Sequence, residues 1–166
     1  MAYNARLDAL EDVPADGEEI TQLRRLQVGD HIATPGKIEG VKYFHHGIYL
    51  GFSKGVADFG GENILDAKTR VVDVMEFMNG RLFRINYPSA HCLPPEETVS
   101  KALDLVDNPS NWNGYDVVRN NCEHFATFCK TGKAASRQVI EVIRQALTTL
   151  GQSIKKAAKA SSGSLS

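Results

Sequence analysis

The sequence predicts an α+β domain, a small antiparallel β-sheet with helices packed on it. Three observations predict it. Between residues 25 and 90, short runs rich in branched and aromatic residues alternate with glycine-bearing turns. After residue 94, apolar residues recur at helical spacing. Strands therefore come first and helices last, which gives segregated layers.

Residues 1–24 read as an acidic, weakly ordered leader, with Leu7, Leu10 and Val13 as the only apolar punctuation before Pro14, Asp16 and Gly17. Residues 26–33 (Leu-Gln-Val-Gly-Asp-His-Ile-Ala) alternate like a strand. Residues 43–50 (Tyr-Phe-His-His-Gly-Ile-Tyr-Leu), closed by Gly51, form the second. A tight turn over 52–55 leads to a short third strand at 55–59. Residues 70–74 and 82–87 supply two more. Pro94-Pro95-Glu96-Glu97 opens a helix, its acidic first turn matched to the helix dipole. Val99, Ala102, Leu103 and Val106 are its apolar stripe, and residues 108–111 end it. A loop with Trp112 and Tyr115 leads to a second helix over 122–131, capped by Asn120 or Asn121 and stopped by Gly132. A third helix spans about 134–160. Val139, Ile143, Ala146, Leu147, Leu150 and Ile154 line one side of it; Arg137, Arg144, Lys155, Lys156 and Lys159 line the other. The domains so defined are a leader (1–24), a main domain (25–132), a basic amphipathic helix (133–160) and a loose tail (161–166).

Of 166 residues, 42% are hydrophobic and 23% charged, which excludes wholesale disorder and collagen-like or coiled-coil structure. A net charge of −1 gives no global reason to expect nucleic acid as a partner. The charge is segregated: residues 1–25 and 26–132 each carry net −3, and residues 133–166 carry net +5. The C-terminal helix therefore suits an anionic membrane surface, or it packs its stripe on the domain. Cys92, Cys122 and Cys129 form no CxxC pair, so a reducing, cytoplasmic compartment is expected, with peripheral membrane attachment. No signal peptide, lipidation motif or run of 18 apolar residues is present in the sequence.

The chemistry concentrates in Asn120-Asn121-Cys122-Glu123-His124-Phe125. A cysteine in the first turn of a helix meets backbone N–H groups and the positive dipole end, both of which favour thiolate. The same N–H groups can stabilise an oxyanion. The nucleophile needs a base from elsewhere in the fold, and His45 and His46 are the candidates. Successive strand residues face opposite ways, so only one can meet Cys122. Asp58, on the neighbouring strand, can orient the imidazole. Taken singly, a helix-start cysteine is more often packing than catalysis. His124 reads as a polar residue near the helix start, and Cys129 as core. A metal site of His45, His46 and Cys122 is disfavoured because adjacent strand histidines diverge.

In combination, His45-His46-Gly47-Ile48-Tyr49-Leu50-Gly51 followed by Asn121-Cys122-Glu123-His124-Phe125 resembles the lecithin:retinol acyltransferase-like domain. That group includes the phospholipase A/acyltransferases. Its pattern is H-x-[AG]-I-Y-x-G on a strand, then N-C-E-H-F opening a helix. Residues 26–30 resemble its entry strand, and the likeness covers about 25–132. It implies a circularly permuted papain-like thiol hydrolase architecture, with Cys122 as nucleophile and His45 as base. The family's third polar residue is usually a histidine on the following strand. Here that place falls on Asp58, with one extra residue in the turn before it. Many relatives carry an apolar C-terminal anchor where this chain has a basic amphipathic helix.

The implied activity is acyl transfer from a glycerophospholipid through a Cys122 thioester to water, an amine or an alcohol, without metal or cofactor. Two alternatives remain on the sequence: another papain-like cysteine hydrolase (amidase, peptidase or thioesterase), or a non-catalytic signalling or scaffold protein retaining the fold.

Overall fold

A computed structural model describes residues 12–38, 40–116 and 120–162. It contains a six-stranded antiparallel sheet in the order β1-β6-β2-β3-β4-β5. The strands are β1 (Gly17–Glu19), β2 (His31–Ile38), β3 (Val41–Gly51), β4 (Gly55–Gly60), β5 (Lys68–Val72) and β6 (Phe83–Ile85). The helices are α1 (Val74–Phe77), α2 (Pro95–Asp107), α3 (Cys122–Thr131) and α4 (Arg137–Ser162). The expected α+β class is the observed one, with the single-turn α1 set between β5 and β6 and the longer helices after the sheet.

Local chemistry moves three strand boundaries. The entry strand begins at His31, not Leu26. Gly29 has φ +89°, and the Asp30 carboxylate accepts from the Gln27 N–H at 2.9 Å, so this stretch turns before it extends. The strand placed at 70–74 occupies Lys68–Val72, because Asp73 caps α1 by accepting from the Met75 N–H at 2.8 Å. The strand placed at 82–87 is only Phe83–Ile85.

The leader also departs from expectation. Its residues 1–11 lie outside the described residues, but β1 pairs with β6 and Ile20 is buried. Glu18 and Glu19 hold Arg84 and Arg81, each at 2.9 Å. A three-residue acidic strand has no readable periodicity; its order comes from cross-strand charges and one buried anchor.

Each face of the sheet carries its own apolar core. On one, Ile32, Tyr49, Val56 and Val72 pack with Val74, Phe77 and Leu82. On the other, Ile48, Leu50, Ala57 and Phe59 pack with Ala102 and Leu105 of α2 and Phe125, Ala126 and Cys129 of α3. Strand alternation in β3 sends His45 to the first face and His46 to the second.

The chain divides into two compact units after Ala135. The second contains α4, which is 26 residues long and carries a Glu141–Arg144 ion pair at 2.8 Å. Among the described residues, no helix is long and apolar enough to cross a membrane.

Candidate active site

The geometry begins where two ladders end at different places. β3 pairs with β2 from Ile48 out to Val41, but with β4 only from Gly51 to Gly47. The β3–β4 ladder ends at the Gly47–Asp58 pair, although β4 itself runs on to Gly60 beside β5. The first turn of α3 meets β3 just beyond that pair. The Cys122 thiol lies 3.9 Å from the Phe44 carbonyl, a weak contact that locates it at the open edge of β3.

The start of α3 is set by local sequence. Asn121 is extended, and its side-chain oxygen accepts from the Glu123 and His124 N–H groups at 3.0 and 3.1 Å. His124 Nδ1 accepts from the Asn121 N–H at 3.1 Å, which completes a reciprocal capping box. Of the two capping asparagines the sequence offered, Asn121 takes the role. Asn120 instead donates to the Asn113 and Gly114 carbonyls, and its backbone bridges to Asp116. That closure holds Tyr115 over the helix start.

Two of the N–H groups expected to be free for an oxyanion are thus occupied by the cap. Burial and the charge at Cys122 push the Tyr115 phenol upward. Tyr43 is pushed up to about 12 by burial, with the charges of Cys122 and Asp58 adding to it. Both phenols therefore stay protonated at the thiol.

His45 sits between Cys122 and Asp58. Its Nε2 is 2.7 Å from Asp58 Oδ2. Burial disfavours the charged ring, but the charge at Cys122 and hydrogen bonds to Asp58 and Cys122 outweigh it and lift the imidazole to about 10. The ring tilts over Phe77 with centroids 5.2 Å apart. Gly47 makes this approach possible: a Cβ there would lie 2.6 Å from Val56 Cγ1 and 3.0 Å from Phe77 Cε2.

Asp58 is almost wholly buried and has a second partner. Arg70 Nε donates to Oδ1 at 2.9 Å and Nη2 to Oδ2 at 3.4 Å. The two residues are direct cross-strand partners in the β4–β5 register. Sequence reasoning missed Arg70, Tyr43 and Tyr115. The sequence signal for Arg70 is an opposite charge to Asp58, and it becomes readable only once the register is known.

His46 belongs to a different network. Its Nδ1 is 2.8 Å from His31 Nε2, and His31 Nδ1 is 2.8 Å from the Tyr87 hydroxyl. Burial lowers His31 well below its ordinary value and takes His46 down to about 4; the Glu123 charge opposes the latter shift. Two neutral rings in series need one direction of donation. With the His46 Nε2 proton turned toward the Glu123 charge, His31 Nε2 donates to His46 Nδ1 and Tyr87 donates to His31.

The structure therefore brings Cys122, His45 and Asp58 together and keeps His46 apart. His124 serves the helix cap. Cys129 lies in the core, its thiol pushed up to about 12 by burial. His45 and His46 diverge, so with Cys122 they do not form one chelating set, and among the described residues no group of three His, Cys, Asp or Glu is arranged to hold a metal ion.

A charged imidazole against a thiol, with an ordered carboxylate behind it and two protonated phenols in front, can do covalent acyl chemistry. Comparison with known proteins points the same way. Residues 24–135 match the family described as lecithin retinol acyltransferase. The chain is also similar to Egg-laying defective protein 26 of Caenorhabditis elegans, 29% identical over 149 residues. That match covers 74% of this chain and 44% of the relative, so the chain spans less than half the length of that protein.

Proposed function

The chain belongs to the lecithin retinol acyltransferase family, and from that premise we propose that it is a thiol-dependent acyltransferase of the phospholipase A type. One observation carries the reading: His45 is placed between the Cys122 thiol and the buried Asp58 carboxylate.

His45 takes the Cys122 thiol proton, and the sulfur attacks the ester carbonyl of a glycerophospholipid. The oxyanion is met by the Tyr115 hydroxyl, which lies close enough to Cys122 to feel its charge, and by the Cys122 N–H. His45 Nε2 is committed to Asp58, so Nδ1 gives its proton to the departing lysophospholipid oxygen. The products are an acyl thioester on Cys122 and a neutral imidazole. Water, an amine or an alcohol then gives its proton to His45 and attacks the thioester, which releases the acyl product and restores the resting site.

The lipid must be reached at a surface. The stripe Val139, Ile143, Ala146, Leu147, Leu150 and Ile154, opposed by Arg137, Arg144, Lys155, Lys156 and Lys159, supports a role for α4 in lying on an anionic membrane.

The test is intact mass after incubation with phosphatidylcholine vesicles, with released lysophospholipid assayed in the same tube. The expected result is a hydroxylamine-labile acyl adduct, or product, from the wild type and neither from Cys122→Ser. Neither species from the wild type would overturn the phospholipid reading.

A further inference from the structure

Asp58 is a buried anion with two cationic neighbours, and only one of them is the proposed base. The other, Arg70, has no place in the acyl-transfer steps. Its fork grips both carboxylate oxygens, so the plane of the carboxylate is fixed by β5. That leaves Oδ2 aimed at His45 Nε2. Gly60 keeps the space open, since a Cβ there would stand 3.2 Å from His45 Cε1 and 3.4 Å from Arg70 Nη2.

We propose that Arg70 is a positioning residue for the reaction: it orients Asp58 toward His45 and offsets the carboxylate charge, so that the base has an ordered acceptor with little net charge behind it. This rests on the acyl-transfer reading for its consequence in rate, but not for its consequence in titration. Without Arg70, Asp58 would act on His45 as a full anion. The imidazolium would hold its proton more tightly and be a poorer acid toward the leaving oxygen. With Asp58 neutralised and Arg70 kept, an uncompensated cation would push the ring the other way.

The other groups acting in this neighbourhood are known. Cys122 faces His45 from α3, Asp58 from β4, and Phe77 from α1. Tyr43 and His46 are its neighbours on β3. Arg70 feels Asp58, Glu76 and Asp66, all of which keep it charged.

The experiment is an NMR titration of ring-labelled His45 in a Cys122→Ser background, where the sulfur charge no longer holds the ring protonated. Arg70→Gln is expected to raise the His45 pKa by about one unit, and Asp58→Asn to lower it. Adding Arg70→Gln to Asp58→Asn should reverse that lowering, a rescue that a merely structural role would not produce. Arg70→Lys, which keeps the charge, should titrate near the background protein and guards against a folding failure in the glutamine variant. With Cys122 intact, Arg70→Gln should lower kcat for lysophospholipid release about tenfold at unchanged KM. A double variant that titrates like Asp58→Asn alone overturns the proposal. Silence of the wild type toward phospholipid, with the titration pattern intact, would instead overturn the substrate reading.

Discussion

His45 and His46 are consecutive residues of β3, and they titrate in opposite directions. His45 is raised to about 10 beside Cys122 and Asp58, and His46 is lowered to about 4 in a buried network with His31. Burial lowers both. What separates them is that hydrogen bonding and charge from Cys122 and Asp58 outweigh burial at His45, whereas His46 spends one nitrogen on another neutral imidazole and the Glu123 charge does not overcome its burial.

Replacing Cys122 by Ala should abolish turnover while the protein stays folded. The loss should be at least about a thousandfold, the order that follows removal of a covalent nucleophile. Steady-state lysophospholipid release together with circular dichroism checks both halves. Retained activity would exclude Cys122 as the nucleophile.

The raised His45 pKa sets a pH dependence. The folded ring binds its proton more tightly than the unfolded one, whose ordinary value is about 6.5. Its contribution to stability is therefore full below about 6.5 and is lost as pH rises through about 10. Activity should hold across most of that range and fall only as pH passes about 10, because the leaving oxygen needs the imidazolium proton. Denaturant midpoints should decline from about 6.5 upward and kcat only near the folded value, and His45→Gln should flatten the stability limb.

His46→Ala should act on stability. It leaves His31 Nε2 buried without its partner, at a cost of about 1–3 kcal/mol. Urea unfolding measures the cost. The rate at which Cys122 reacts with a thiol probe, taken well below the unfolding midpoint, should hardly change. Loss of probe reactivity without loss of stability would move His46 into the chemistry.

Gly47→Ala should destabilise by about 1–3 kcal/mol, because the added Cβ would stand 2.6 Å from Val56 Cγ1 and 2.9 Å from the Ala57 carbonyl oxygen. It should also displace the Phe77 ring from His45. Thermal unfolding and the His45 ring chemical shifts report the two effects separately.

Asn121→Ala removes the acceptor for two N–H groups of the first turn of α3. A loss of about 0.5–2 kcal/mol is expected. Asn121→Asp, which keeps an acceptor there, should recover most of it. Equal losses in the two variants would show that the cap is not what holds the helix start.

Much of this arrangement was legible along the chain. Residues 122–131 read as a helix because a capping asparagine precedes them, apolar residues recur inside them and Gly132 follows; α3 is Cys122–Thr131, and Gly132 has φ +79°. Residues 43–50 read as a strand because their side chains are branched and aromatic, and β3 extends over Val41–Gly51. Legibility failed where a pairing was needed to create the element. β1 pairs with β6, and Glu18 finds Arg84 on that strand while Glu19 finds Arg81 just before it, each more than sixty residues away.

The sequence by itself determined the α+β class, the strand that carries His45 and His46, and the helix that begins at Cys122. These are local outcomes of capping, periodicity and side-chain shape. The tertiary structure alone decided that Cys122 faces His45 although α3 packs on the sheet face that His46 occupies. Two ladders of unequal length meet there: β3 stays paired with β2 out to Val41, its ladder with β4 ends at the Gly47–Asp58 pair, and the Cys122 thiol reaches β3 at Phe44. It alone also decided that Arg70 stands opposite Asp58 and that His31 stands against His46. Cross-strand register is fixed by many distant contacts at once, and no single segment carries it.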